Sequence, residues 1–379
     1  MKKVLVVFGT RPEAIKMAPV VQELEHTPWF DCRVVVTAQH REMLDQVLDL
    51  FGIAPGYDLD IMRPGQSLFD ITARALRGLE EIFRKEAPDC VLVHGDTTTT
   101  FVGALAAYYL QIPVGHVEAG LRTQNKFSPF PEELNRHLTG VLADLHFAPT
   151  ARARANLEAE NVPPARISVT GNTVIDALLA TVRRDYRFTE PELTSVDLSR
   201  YRVLLVTTHR RENLGAPLRG VYRALRGILH DFPDTLAVFP VHLNPTVQEA
   251  VRDELGSQER VILTDPLPYL PFVKLMAAAH LVLTDSGGLQ EEAPALGKPV
   301  LVLRDTTERP EAVEAGTVRL VGLREEDVRR ETARLLSDAA AYRRMAEAVN
   351  PYGDGQAARR TVQFLAAYFG LTAPPDQFR

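Results

Sequence analysis

The sequence predicts an α/β protein that contains two doubly wound parallel sheets. Short runs of Val, Leu and Ile alternate with helical patterns along almost all of the 379 residues. These runs are apolar at consecutive positions, which is typical of strands that helices cover on both faces. The runs form two successive series, and the chain is long enough for two domains of ordinary size.

The two series of predicted strands are separated by a polar stretch at 185–200. The first series comprises 4–8, 33–37, 90–94, 114–118, 145–148 and 167–170, and the second comprises 203–207, 236–241, 261–263, 281–284, 300–303 and 317–321. Helical patterns at 13–25 and 98–110 lie within the first series, and patterns at 325–336 and 339–349 close the second.

The predicted domains are an N-terminal domain at 1–172, a C-terminal domain at 173–355, and a final helix with its tail at 356–379. The final helix is amphipathic, so we expect it to pack back on the first domain. Parallel sheets of this kind bind ligands beyond the carboxyl ends of their strands. Two Rossmann-like domains that face each other therefore predict one central cleft, and residues just after strands are the candidates for chemistry.

The composition argues against several classes of partner. The formal net charge is −6, so the chain as a whole would not be attracted to a nucleic acid or an anionic membrane. Two cysteines suit a reducing compartment, and the histidines and carboxylates lack metal-ligand spacing. No run approaches the ~20 apolar residues of a membrane span. We therefore expect a cytoplasmic protein without a metal.

A candidate anion site follows the first predicted strand. Gly9 permits a tight turn there, and Pro12 suits the first position of a helix. The turn would expose backbone N–H groups and Arg11 to an anion, and Lys16 lies one helical turn further along. The alternative is an ordinary strand–helix turn with a solvated arginine.

Three carboxylates of the first domain are candidates for acid–base chemistry, and each has a structural alternative. Asp96 follows a strand, where an aspartate can simply cap the next helix. Glu118 ends another strand, where burial demands a partner such as Arg122. Glu132 lies just behind Pro131 at the start of a helix, where a carboxylate favours the helix dipole regardless of function.

The second domain offers a complementary set of groups. His209 follows its first strand and is flanked by arginines, which favours anion binding beside a possible proton donor; the alternative is a capping loop with solvated arginines. Ser286, Gly287 and Gly288 form a turn between a strand and a helix, typical of a phosphate cradle made of N–H groups. Glu292 lies one turn inside that helix, where its carboxylate can accept hydrogen bonds from a ribose diol, and Arg309 follows the next strand.

One motif is rejected as a cofactor site. Residues 353–358 fit the dinucleotide pattern G-x-G-x-x-A, but they follow no strand and no βαβ unit surrounds them. The sequence therefore predicts a site for a nucleotide diphosphate with carboxylates and a histidine, and no cofactor.

Six ordered motifs closely resemble those of the non-hydrolysing UDP-N-acetylglucosamine 2-epimerases. They are VFGTRPEAIK at 7–16, HGDTTT at 94–99, GHVEAGLR at 115–122, PEELNR at 131–136, HRREN at 209–213 and DSGGLQEE at 285–292. The resemblance extends from residue 4 to the final helix. It implies the two-domain fold of many nucleotide-sugar glycosyltransferases (glycosyltransferase-B-like), a homodimer, and domain closure over UDP-N-acetylglucosamine and UDP-N-acetylmannosamine.

The resemblance also implies roles for individual residues. The catalytic positions are Asp96, Glu118, Glu132 and His209, and the substrate-binding positions are Arg11, Lys16, Arg136, Phe272, Ser286, Gly287, Gly288, Glu292 and Arg309. The expected reaction inverts C2 by eliminating UDP and adding it back through 2-acetamidoglucal, because C2–H is only feebly acidic and no NAD fingerprint is present. The rivals are a hydrolysing epimerase, a glycosyltransferase of the same fold and a non-catalytic nucleotide-sugar sensor.

Many bacterial members of the family bind a second UDP-N-acetylglucosamine beside the active site. The matching residues present here are Gln39, His40, Gln66, Arg210 and His242. Gly65 stands where relatives carry arginine, and Glu42 where some carry glutamine. The resemblance therefore implies a weakened allosteric site, with Arg63 as a substitute donor.

Overall fold

The chain forms two compact units, each built around one parallel sheet. The computed structural model describes residues 1–38, 41–63, 65–210 and 213–378. Unit 1 comprises 1–179 and 352–379, and unit 2 comprises 180–351. Both units are α/β, which confirms the predicted fold class.

Unit 1 contains a seven-stranded parallel sheet in the order β3-β2-β1-β4-β5-β6-β7. Its strands are β1 (Lys2–Phe8), β2 (Phe30–Val36), β3 (Tyr57–Asp58), β4 (Cys90–His94), β5 (Val114–Val117), β6 (Leu145–Ala148) and β7 (Ile167–Val169). Its helices are α1 (Arg11–His26), α2 (Arg41–Phe51), α3 (Leu68–Glu86), α4 (Thr98–Tyr109), α5 (Glu132–Leu142), α6 (Ala151–Ala159), α7 (Thr173–Val182), which crosses the unit boundary, and α16 (Ala357–Tyr368). A 3₁₀ turn at Pro164–Arg166 precedes β7.

Unit 2 contains a six-stranded parallel sheet in the order β10-β9-β8-β11-β12-β13. Its strands are β8 (Arg202–Thr207), β9 (Thr235–Pro240), β10 (Val261–Thr264), β11 (Ala279–Thr284), β12 (Val300–Val302) and β13 (Val318–Leu320). Its helices are α8 (Pro191–Thr194), α9 (Ala216–Asp231), α10 (Pro245–Leu255), α11 (Tyr269–Ala278), α12 (Leu289–Ala295), α13 (Pro310–Glu314), α14 (Glu325–Ser337) and α15 (Ala339–Ala346). A 3₁₀ turn at Leu198–Arg200 precedes β8.

The central strands are apolar because both of their faces are covered. Val4, Leu5, Val6, Val7 and Phe8 of β1 have no exposed surface, so no alternation of polar and apolar residues is needed. The short β3 escaped prediction. It pairs with β2 at the edge of the sheet over two residues, which is too short for a periodic pattern to develop.

The C-terminal helix α16 packs back on unit 1, as the amphipathic pattern predicts. The ring of Phe364 meets that of Phe147 on β6 edge to face, at 5.9 Å between centroids. Val362 and Leu365 are buried. This apolar face therefore fixes the last helix to the N-terminal sheet.

The observed division of the chain differs from the predicted boundaries at 172 and 355, because the start of α7 belongs to the packing of unit 1. The backbone N–H of Asn172 donates to the carbonyl of Tyr352 at 2.6 Å, and Ile175 and Leu178 are fully buried. The chain therefore leaves unit 1 after Leu179 and returns at Tyr352.

In the dinucleotide-like segment 353–358, the backbone N–H groups at the start of α16 already bind a side chain of the same protein. The carboxylate of Asp176 accepts hydrogen bonds from the backbone N–H groups of Ala357, at 3.2 Å, and Ala358, at 2.9 Å. An anionic side chain therefore sits where a pyrophosphate would bind at the start of α16. The rejection of this motif as a cofactor site thus has a physical basis.

Among the described residues, none of the helices has the length and apolar character needed to cross a membrane.

The carboxyl group of Asp176 predicts a pH-dependent stability. Burial raises its pKa to about 6, although the N–H groups of Ala358 and Ala357 oppose the shift. The folded protein then keeps a proton that the unfolded chain releases, so the free energy of unfolding falls as pH rises from about 4 to 6. The loss amounts to about 3 kcal/mol. We expect Asp176→Asn to remove this slope in urea denaturation followed by the fluorescence of Trp29.

The matched control is Asp49→Asn on the exposed side of α2, which should keep the slope. Equal slopes for Asp176→Asn and the unsubstituted protein would show that Asp176 ionises alike in the folded and unfolded chains.

Candidate active site

Each sheet has a point where the strand order reverses, and the candidate residues gather there. In unit 1 the reversal lies between β1 and β4, and in unit 2 it lies between β8 and β11. Loops that leave neighbouring strands in opposite directions open a crevice at such a point, which is where open α/β sheets bind ligands. The turns after β4, β8 and β11 carry Asp96, His209 and the segment 286–288, and Arg11 begins the helix after β1.

The turn after β1 requires glycine. A Cβ atom on Gly9 would lie 2.0 Å from Oγ1 of Thr37 and 2.8 Å from Oγ1 of Thr99, so no larger residue fits. Arg11 begins α1 and is half-buried. Among the described residues it has no hydrogen-bond or ion-pair partner, which leaves its guanidinium available to an anion.

Glu13 ties this turn to the turn after β4. Its buried carboxylate accepts the backbone N–H of Gly9 at 3.0 Å and of Thr10 at 2.8 Å. It also accepts the hydroxyls of Thr97, at 2.7 Å, and Thr100, at 3.1 Å. Burial raises the pKa of Glu13 despite these donors. Sequence analysis missed this residue, although Thr10 and Glu13 have the spacing of a capping box.

Glu118 is neutralised by Lys16 and not by Arg122. The ammonium of Lys16 forms an ion pair with Oε2 of Glu118, and Nδ2 of Asn172 donates to the same oxygen at 2.8 Å. Arg122 instead forms a bidentate pair with Glu160, at 2.7 Å for both contacts. Arg122 is therefore not the partner of Glu118. Lys16, which the sequence assigned to an anionic substrate, contacts a candidate catalytic carboxylate.

The backbone of Glu118 is also strained. Its φ is 63°, a conformation that costs a residue other than glycine on the order of 1 kcal/mol and that clusters at functional sites. It lies beside the turn after β4, because a Cβ on Gly95 would come within 3.9 Å of its Oε1.

Two buried histidines lie behind these groups. Nε2 of His94 is 3.8 Å from Oε2 of Glu118, and neither ring nitrogen of His94 has a hydrogen-bond partner among the described residues. Nε2 of His116 contacts the carbonyl oxygen of Gly95 at 2.7 Å. Burial lowers the pKa of His94 to about 4 and that of His116 to about 3. Both rings are therefore neutral at physiological pH.

Asp96 does not cap the helix that follows it. Thr97 is the N-cap of α4, and its hydroxyl accepts the N–H of Thr100 at 3.2 Å. The carboxylate of Asp96 instead accepts a hydrogen bond from Arg136 at 2.6 Å, and its carbonyl accepts Nδ2 of Asn135 at 2.9 Å. Helix α5 therefore orients Asp96, and Arg136, assigned by resemblance to substrate, contacts this carboxylate.

Adjacent glutamates at the start of α5 have different environments. Glu133 is buried and accepts the N–H groups of Thr123, at 2.8 Å, and Gln124, at 3.0 Å. Burial opposes its ionisation, but these donors and Arg136 outweigh it and lower the pKa of Glu133. In contrast, Oε2 of Glu132 is buried without a hydrogen-bond partner in the described part of the chain. Glu133 thus secures the loop, and Glu132 remains available to a ligand.

In unit 2, His209 is held by Asp285. Nδ1 of the imidazole is 3.0 Å from Oδ1 of Asp285, whose carboxylate has no exposed surface. The backbone N–H groups of His209 and Arg210 donate to the same carboxylate at 2.9–3.1 Å. Sequence analysis placed Asp285 in a motif without giving it a role.

The turn 286–288 leads into α12, and the N–H of Ser286 donates to the hydroxyl of Thr284 at 2.9 Å. In the described part of the chain, the N–H groups of Gly287, Gly288 and Leu289 donate to no other group. Gln290 braces the turn, because its side chain donates to the carbonyl of Ser286 at 3.1 Å and accepts the hydroxyl of Thr307 at 2.6 Å. These open donors fit the expected phosphate cradle, and Gln290 was not anticipated.

The remaining predicted nucleotide residues differ in their surroundings. Phe272 on α11 is half-buried. Glu292 is a neighbour of Tyr269, whose pKa burial and that carboxylate raise well above its usual range. Arg309 forms an ion pair with the buried Glu291, which fixes its guanidinium on α12 and leaves little of it exposed.

The five predicted allosteric residues are only partly described. Gln39 and His40 lie outside the described residues. Gln66 is half-buried, and its Oε1 accepts a hydrogen bond from Arg74 at 3.4 Å. Nη1 of Arg63, the proposed substitute donor, already donates hydrogen bonds to the carbonyls of Asp60 and Met62.

The two predicted allosteric residues of unit 2 lie beside His209. The ring of His242 stacks on that of His209, with 6.1 Å between centroids and 26° between planes. Arg210 is 3.6 Å from Glu308. Within the described residues, no group of three or more His, Cys, Asp or Glu side chains is arranged to hold a metal ion.

Known proteins resemble this chain over nearly its whole length. A Bacillus subtilis UDP-N-acetylglucosamine 2-epimerase is 57% identical over 377 residues, covering 99% of this chain and 98% of the relative. An Escherichia coli K12 protein of the same name is 58% identical over 370 residues, covering 96% and 98%. The crystal structure of the Neisseria meningitidis UDP-GlcNAc 2-epimerase bound to UDP-GlcNAc matches with a TM-score of 0.87 and 50% identity, covering 96% of this chain and all of that one.

A family model agrees with these individual similarities. The model described as UDP-N-acetylglucosamine 2-epimerase matches residues 22–366, which include β2 to β13 of the two sheets. The chain therefore belongs to the UDP-N-acetylglucosamine 2-epimerase family of isomerases.

Proposed function

We propose that this protein interconverts UDP-N-acetylglucosamine and UDP-N-acetylmannosamine by eliminating UDP and adding it back. The observation that carries the proposal is the set of three carboxylates, Asp96, Glu118 and Glu132, around the turns after β4 and β5. Asp96 is not a helix cap, Glu118 has a strained backbone, and Glu132 has a buried oxygen without a described partner.

Elimination is the route that these groups suit. C2 of the sugar is not next to a carbonyl, so its proton is feebly acidic until the bond from C1 to the UDP oxygen breaks. A carboxylate takes the C2 proton, the C1=C2 double bond of 2-acetamidoglucal forms, and the C1–O electrons go to UDP. Protonation of C2 from the other face, followed by re-addition of UDP, completes the inversion. Two faces require more than one acid–base group.

Unit 2 supplies groups suited to the leaving diphosphate. His209 lies after β8, and open N–H groups lie at the start of α12. Donors aimed at a group that gains charge in the transition state lower the barrier, commonly by several kcal/mol. The Neisseria meningitidis relative is described as bound to UDP-GlcNAc, which supports the same ligand here. We also propose, from the family resemblance, a homodimer that supplies precursors of cell-surface polysaccharide.

One incubation with UDP-N-acetylglucosamine alone, followed by NMR, separates this function from its rivals. UDP-N-acetylmannosamine should form at the expense of substrate. Free N-acetylmannosamine with UDP would indicate a hydrolysing epimerase. No reaction without an acceptor would favour a glycosyltransferase or a sensor.

The mechanism predicts exchange at C2. In deuterated water we expect deuterium at C2 of both epimers, because the proton removed from C2 mixes with solvent protons before one is returned. NMR of the equilibrated mixture measures the deuterium content, and the anomeric C1 hydrogen serves as an internal control that stays protonated. Epimerisation with the original C2 hydrogen fully retained would contradict elimination.

Substitution of the proposed acid–base groups should slow turnover. We expect Asp96→Asn, Glu118→Gln, Glu132→Gln and His209→Asn each to lower kcat by ~10²-fold or more. Affinity for UDP, measured by calorimetry, should fall clearly only for His209→Asn, since the carboxylates would face the sugar.

The control is Glu158→Gln on α6, which removes a surface pair with Arg154 and should leave kcat unchanged. Near-normal turnover of Glu132→Gln would assign Glu132 to the helix dipole alone.

We further propose that the second, regulatory nucleotide-sugar site is weak in this protein. Gly65 cannot supply the bidentate phosphate contact of an arginine, and loss of such a contact costs roughly 1.5–3 kcal/mol, about one to two orders of magnitude in affinity. We expect turnover of pure UDP-N-acetylmannosamine to begin without a lag, or to be activated only by high concentrations of UDP-N-acetylglucosamine. A long lag abolished by micromolar UDP-N-acetylglucosamine would contradict this.

Gly65→Arg should sharpen the response in the same titration. Gly65 has a φ of 69° with open space around it, so any side chain there adds backbone strain on the order of 1 kcal/mol. Gly65→Asn is the matched control, because asparagine tolerates this conformation and adds no charge.

A further inference from the structure

We propose that Asp285 is a positioning residue that determines which nitrogen of His209 carries the proton and which faces the substrate. The inference rests on the proposed function, in which His209 acts on the leaving diphosphate. It concerns a residue to which the sequence assigned no role.

The carboxylate of Asp285 contacts both the backbone and the ring of His209. Both oxygens of Asp285 accept the backbone N–H of His209, at 3.0 and 3.1 Å, and one of them lies 3.0 Å from the ring Nδ1 of the same histidine. The N–H of Arg210 and Nδ2 of Asn213 add contacts of 2.9 and 3.2 Å. The backbone and the ring of His209 are thus oriented by the same group.

Beside an ionised carboxylate, only one of the two neutral tautomers of the His209 imidazole is possible. Burial disfavours the charged form of Asp285, but the His209 ring and the N–H groups of Arg210 and His209 outweigh it and lower its pKa. An ionised carboxylate accepts hydrogen bonds and donates none, so Nδ1 must carry a proton. In the neutral ring, Nε2 is then the unprotonated nitrogen.

The exposure of the ring agrees with this assignment. The side chain of His209 is 41% exposed, whereas that of Asp285 is 0% exposed. The ring therefore has one edge against a buried acid, and part of the rest of it is exposed. His242 stacks against one face of the ring and further limits its rotation.

This arrangement matters for the diphosphate. When the C1–O bond breaks, its electrons pass to a phosphate oxygen of UDP, which gains negative charge. When both ring nitrogens are protonated, the ring can donate Nε2–H to that oxygen. Its Nδ1–H stays hydrogen-bonded to Asp285, whose negative charge balances the positive charge of the ring. A ring with the opposite tautomer would bring a proton to Nε2 without the compensating acid behind it.

The test is ¹⁵N NMR of the protein labelled at histidine, with the signals of His209 identified by their loss in His209→Asn. At a pH where the ring is neutral, we expect Nδ1 protonated and Nε2 unprotonated. In Asp285→Asn the amide NH₂ can donate to the ring, so Nε2–H should become the major form. We also expect kcat to fall by ~10²-fold or more, since a wrong tautomer disables a catalytic histidine.

Two controls separate positioning from loss of structure. Asp231→Asn removes the carboxylate beside Nδ1 of the exposed His230, at 3.3 Å, and should leave kcat and the His209 signals unchanged. Asn213→Ala removes another contact of Asp285 and should preserve the His209 tautomer even if it loosens the loop.

The outcomes are distinct. If Asp285→Asn, shown to be folded by circular dichroism, keeps the original His209 tautomer, the inference is overturned, whatever happens to kcat. If the unsubstituted protein shows no epimerase activity, the proposed function fails, while the NMR comparison still decides whether Asp285 sets the tautomer.

Discussion

A buried carboxylate holds the crevice of the N-terminal sheet together. Glu13 follows β1, yet two of its partners, the hydroxyls of Thr97 and Thr100, follow β4. The two strands are paired, but the chain leads from them to opposite halves of the sheet, and this side chain joins their outgoing turns. The positions of Arg11, at the start of α1, and of Asp96, immediately before Thr97, depend on that link.

In the C-terminal sheet a buried acid also joins two outgoing turns, but here the acid follows the later of the two strands. Asp285 follows β11 and collects the N–H groups of His209 and Arg210, which follow β8. In each unit a buried acid therefore bridges the two strands at which the strand order reverses. Such a bridge fixes the separation of two loops that no strand pairing reaches, which gives a ligand site defined walls.

The pKa values of the two acids shift in opposite directions because their donors differ. Glu13 is surrounded by neutral hydroxyl and amide donors, and burial prevails, so its pKa is raised. Asp285 has an imidazole as well as backbone N–H groups, and together they exceed the cost of burial, so its pKa is lowered. A buried charge persists where a partner can share it. The first acid thus serves mainly as a structural link, whereas the second can also act on the histidine it holds.

The sequence by itself determined the number and kind of the sheets, the places of nearly all their strands and the family, because fully covered strands are apolar at every position and six motifs keep their order. Which charged side chains pair with each other was decided only by the tertiary structure. Lys16 meets Glu118 from 102 residues away, and Arg122 turns to Glu160. Local patterns reveal which side chains are polar and which follow strands. They do not reveal which charges meet, because that depends on the packing of helices against strands distant in the chain.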